Sequence, residues 1–73
     1  MIDYNESDIR FIQGMIPHHE MAVRMAHQEI ASGRNPFAKS LALRIMTNQD
    51  AEIRAMRAWL AQRGLRESGG HSM

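Results

Sequence analysis

One short segment, SGRNPF at residues 32–37, decides what this chain can fold into, because it stops one helix and starts another. Gly33 suits a left-handed C-terminal cap and Asn35 an N-cap. Pro36 fits the first turn of a following helix, where its missing N–H leaves no hydrogen bond unmade. On either side the apolar residues recur with a helical period, and nowhere do they alternate as they would in a strand. Helices joined by so short a connection fold back on each other. The pattern predicts an all-α chain: an antiparallel helical hairpin over residues 1–65, followed by a flexible C-terminal tail, RESGGHSM, over residues 66–73.

At about 100° per residue, Phe11, Met15, His18, Ala22, Met25 and Ala26 share one side of a first helix running from about Ser7 to Ala31. Ile12, His19, Val23 and Ile30 widen that arc, while Arg10, Gln13, Glu20, Arg24 and Gln28 lie opposite. Ser7 is the expected N-cap, with Asp8 adding a favourable charge to the first turn. Pro17 lacks an N–H and its ring crowds the carbonyl of Gln13, which predicts a kink near Gly14 or a helix that begins afresh at Pro17. In a second helix, from about Pro36 to Arg63, one face carries Ala38, Leu41, Ala42, Ile45, Gln49, Ile53, Met56 and Leu60. Met46 and Trp59 flank it, and Gly64 ends the helix. Each apolar stripe is wider than one helix contact can cover. Pairing of two hairpins into a twofold-symmetric four-helix bundle, as a homodimer or higher homo-oligomer, is the simplest closure.

The chain is 73 residues long, and a core of that size supplies only about 3 to 5 kcal/mol unless a metal, a disulfide or self-association helps. It contains no Cys, so disulfides, thiolate zinc sites and iron–sulfur clusters are excluded. A net charge of +1 gives no reason to expect nucleic acid as a partner. No apolar run approaches the roughly 20 residues that span a bilayer, so membrane insertion is not expected.

What stands out is Met, present seven times. Met15, His18, Met21 and Met25 follow one another at intervals of three, three and four, close enough for their side chains to meet. Thioether sulfur is soft and imidazole borderline, a set that favours copper, Cu(I) ahead of Cu(II). Thioethers also survive acid and oxidising surroundings in which thiolates would be lost. Zinc normally takes His with Cys or carboxylate, and the Glu-x-x-His element of di-iron bundles is absent. The candidate ligands are Met15, His18, His19, Met21 and Met25 on the first helix and Met46 and Met56 on the second, with Gln49 and Glu52 placed to orient an inward histidine. His27 projects outward. Met stripes also fill helical cores, and a buried His paired with Gln49 would make a polar core network without metal. A metal-free structural or interaction module is therefore the rival reading. No enzyme is expected: no Ser has a base at helical spacing, and an iron-dependent oxidase would need carboxylates the sequence supplies poorly.

The segments FIQGMIPHHEMAVRMAHQEI and MTNQDAEIRAMRAWL resemble the DUF305 family. The resemblance rests on Met15, His18, His19, Ala22 and Met25, and then on Gln49, Glu52, Ile53, Met56, Trp59 and Leu60, and covers about Asp8 to Leu60. It implies a ferritin-like helical bundle, a periplasmic or secreted location in bacteria, and, for some members, copper binding and copper tolerance. No signal peptide is recognisable in the chain, so export rests on the resemblance. His71 and Met73 look like the start of a His- and Met-bearing tail. These features predict a non-catalytic copper-binding module that buffers or carries copper outside the cytoplasm.

Overall fold

The computed structural model describes residues 2–68. Two helices of 27 residues each, α1 (Glu6–Ser32) and α2 (Pro36–Gln62), pack along their lengths, and among the described residues there is no strand. Gln13 contacts Arg66 and, further along α1, His19 contacts Glu52, so the two chain directions are opposite and the hairpin is antiparallel. Neither helix is long and apolar enough to cross a membrane. His71 and Met73 lie outside the described residues.

The ends of the helices are set by local chemistry. Asn5, not Ser7, caps α1: its side chain accepts from the Asp8 N–H at 3.1 Å, and the Asp8 carboxylate accepts from the Asn5 N–H at 2.9 Å. This reciprocal capping box satisfies two otherwise orphaned donors, and a lone Ser cap cannot match it. Asn35 caps α2 through the Ala38 N–H, with Pro36 behind it. Gly33 does not adopt the left-handed conformation; its φ is −76°. It is needed for close approach instead, since a Cβ there would lie 2.6 Å from the Glu29 carbonyl oxygen. Gly64 does adopt positive φ, at 67°. The Leu65 N–H bonds back to the Leu60 carbonyl and the Gly64 N–H to that of Ala61, and Leu65 packs on the Leu60 cluster: a complete Schellman termination.

α1 passes through Pro17 as one helix, so the expected restart does not occur. Pro17 offers no N–H to the Gln13 carbonyl. The Gln13 side chain meanwhile donates to the carbonyls of Arg66 (2.9 Å) and Ser68 (3.2 Å), drawing residues 66–68 back across the hairpin. Arg57 holds the same segment through Glu67 (2.7 Å) and ties it to α1 through Glu20. The hydrogen bond that Arg57 donates to Glu67, and then the one it donates to Glu20, raise the Arg57 pKa above its ordinary value.

The core is a cluster of Ile16, Ile53 and Leu60, with Ile12, Val23, Met56, Trp59 and Leu65 packed on it. Toward the connection, buried Ala26 and Ala42 let the helices approach closely. Near the termini, Arg63 lies 4.2 Å over the Trp59 ring, and Tyr4 meets Trp59 edge to face at 5.5 Å. The molecule measures 50 × 28 × 16 Å, little more than one helix thick. Its radius of gyration is 15.0 Å, against roughly 11 Å for a compact chain of this length. A slab this thin has two broad faces. One bears Glu20, Arg24, Asp50, Arg54 and Arg57; the other bears Phe11, Met15, Ala22, Met25, Leu41, Ile45 and Met56.

Candidate metal centre

The candidate site is built from two helical i,i+4 pairs. Met15 and His19 lie one turn apart on α1, and Glu52 and Met56 lie one turn apart on α2. Antiparallel packing brings the pairs together around a depression of about 270 Å³, whose remaining walls are Phe11 and Ala55. It opens on the apolar face.

At its centre the His19 Nε2 lies 2.5 Å from a Glu52 carboxylate oxygen. His19 is largely covered, with 14% of its side chain exposed, whereas 60% of Glu52 is exposed. With Nε2 engaged by the Glu52 carboxylate, Nδ1 is the ring nitrogen left for another partner. That Nδ1 is buried and has no hydrogen-bond partner among the described residues. Buried polar atoms are nearly always satisfied, so an aligned imidazole with an idle lone pair is an unusual feature. Orienting a ligand imidazole through its other nitrogen by a carboxylate is the arrangement in which metal-binding histidines are commonly held.

The donors around it are soft. Among the described residues no three His, Asp or Glu side chains converge on one point, so a hard or zinc-like set is not formed. Met15 and Met56, each half-buried, are the thioether-bearing residues lining the depression. Imidazole with thioethers fits copper better than any hard cation.

Residues 5–73 match the family described as a domain of unknown function, DUF305. The chain belongs to the DUF305 family. It is also 38% identical, over 58 residues, to an uncharacterized protein of Acanthamoeba polyphaga mimivirus. That alignment takes in 80% of this chain and 38% of the viral protein, so the chain spans well under half of its relative. No solved structure matches it.

Within this DUF305 chain the residues read from the sequence separate. Met15, His19, Glu52 and Met56 come together. His18 is exposed, its ring centroid 6.5 Å from that of His19 and its side chain outside the depression. Met21 is exposed, and Met25 lines a second apolar depression nearer the connection, with Ala22, Ala26, Leu41, Ala42 and Ile45. Met46 is half-buried ten residues before Met56, about 15 Å away along α2. Gln49 is half-buried, but the inward histidine bonds Glu52 instead. The helical projection centres the ligand face on His18 beside Met25, and the structure moves it. The physical reason for the shift is that α2 packs on the aliphatic flank of the arc, around Ile12, Ile16 and Val23, which turns His19 inward. Periodicity alone does not single out Phe11 and Ala55 as walls of the site, nor Ile16 as the residue that decides its orientation. The paired i,i+4 spacings on two facing helices are the sequence signal that finds this group.

Proposed function

We propose that this chain is a non-catalytic copper-binding module, with copper as cargo held between the His19 Nδ1 and the sulfurs of Met15 and Met56. The observation that carries the reading is the buried, unpartnered Nδ1, on a ring already oriented by Glu52 and set among thioethers. Cu(I) suits neutral, soft ligands, and rotation about the flexible Met side chains gives a route past a nitrogen sealed from solvent. The role that fits is copper buffering, transport or tolerance outside the cytoplasm, where a thioether site works without thiols.

The test is a titration of metal-free protein with Cu(I) in competition with a chromophoric chelator. Binding in a 1:1 ratio per site, abolished in His19→Ala and weakened in Met15→Leu and Met56→Leu, is the expected result. Affinity indifferent to all three substitutions overturns the proposal. The rival reading, a metal-free module that forms a dimeric helical bundle, draws on the uncovered apolar face. It predicts a dimer whose melting temperature does not respond to copper.

A further inference from the structure

The candidate site is open on the side where the hairpin has no second layer. The molecule is 16 Å thick, and its apolar face leaves Phe11 63%, Met25 63% and Leu41 38% exposed. Two shallow depressions lie on this face: the site itself, and the one of about 210 Å³ lined by Met25 and Leu41. Ala22, at the edge of the second, lies on α1 between His19 and Met25, and its small side chain leaves the middle of the face low.

We infer that the occupant of this face is a second copy of the chain, paired antiparallel about a twofold axis near Ala22, and that the partner's Met25 closes the His19 site. The inference rests on the copper reading for its metal part and on the shape of the face for the rest. A twofold contact needs protrusions and hollows on one and the same patch, which this face has. This face lies on the broad side of a molecule 50 by 28 Å in extent, which has room for the roughly 800 Å² per partner that a stable dimer buries. The opposite face carries Glu20, Arg24, Asp50, Arg54 and Arg57, and such a charged surface is costly to bury. An axis near Ala22 exchanges the two depressions, bringing the thioether of one chain's Met25 over the other chain's Met15, His19 and Met56. Each dimer then holds two equivalent sites, each with one donor supplied in trans and each screened from water.

Mixing of two variants tests the shared site. Met25→Leu keeps the volume of the apolar contact and removes the sulfur; His19→Ala removes the imidazole. Each variant alone should bind Cu(I) at least 10-fold more weakly than the wild type. When the two are unfolded together and refolded, the mixed dimer contains one complete site, His19 from one chain and Met25 from the other. One tight Cu(I) per mixed dimer is the expected result. No recovery in the mixture overturns donation in trans, even if the wild type binds copper. Sedimentation velocity tests the interface without metal. The wild type should be a dimer that Met25→Lys dissociates, while Leu43→Lys, at another exposed apolar position seven residues before Asp50 on the charged face, leaves it intact. A monomeric wild type at tens of micromolar overturns the interface. A dimer that binds no Cu(I) overturns the copper reading and the shared site together, while the pairing stands.

Discussion

His19 and His18 are neighbours in the chain and differ in everything that matters to a ligand. His19 is held by Glu52 with an idle buried nitrogen, and His18 is exposed to solvent. Glu52→Gln keeps the size of the side chain but removes the charge that aligns the ring, and should lower Cu(I) affinity by about 10- to 100-fold in chelator competition. His18→Ala should leave it within the error of the same assay. Gly64 is the other position at which a single residue decides the outcome. With φ at 67°, Gly64→Ala should cost about 1 to 2 kcal/mol in urea denaturation, because a Cβ is strained in the left-handed region. No atom of the described residues lies within 4 Å of a Cβ added at Gly64, so the penalty expected there is conformational.

Each helix is started and stopped by its own sequence, and those signals are legible in different degrees. Asn35 with Pro36, and Gly64, can be read directly because each has one structural use. Reading Ser7 as the cap places the start of α1 two residues late, since Ser7 is a good cap in isolation while the Asn5–Asp8 pair is a better one. Asn5→Ala should therefore cost about 1 kcal/mol, measured by thermal or urea unfolding, with Ser7→Ala nearly neutral. Gly14 sits inside α1, and a Cβ added there would meet nothing within 4 Å among the described residues. Gly14→Ala should raise stability by about 0.5 to 1 kcal/mol, because glycine loses more backbone entropy than alanine on entering a helix. Pro17 does not break α1: packing of Ile16 into the core and the return of residues 66–68 onto Gln13 hold the helix before it, and the His19–Glu52 contact holds the turn after it.

Taken as a whole, the hairpin has a thin core. Among the described residues Ile16, Ala26, Ala42, Ile53 and Leu60 are the buried apolar ones, too few to stabilise 73 residues generously. Stability should consequently depend on what binds the folded chain. The melting temperature should rise with protein concentration if hairpins associate through the apolar face. Free Cu(I) held at about 100 times its dissociation constant should add roughly 2.7 kcal/mol to the unfolding free energy. A melting temperature independent of both concentration and copper would contradict both proposals.

The two helices, the turn between them, the soft character of the candidate donors and the family resemblance are all present in the order of the residues. Helix formation, capping and ligand chemistry are local properties, and a linear pattern carries them. Which flank of α1 meets α2 is not local. The apolar arc is wide enough to allow contact through either the Met25 flank or the Ile16 flank, and periodicity treats the two alike. Packing chose the branched aliphatic side, where Ile16, Ile53 and Leu60 interlock. That choice turned His19 toward Glu52, left His18 in solvent and gathered Met15 and Met56 into one site, which only the contact between helices could decide.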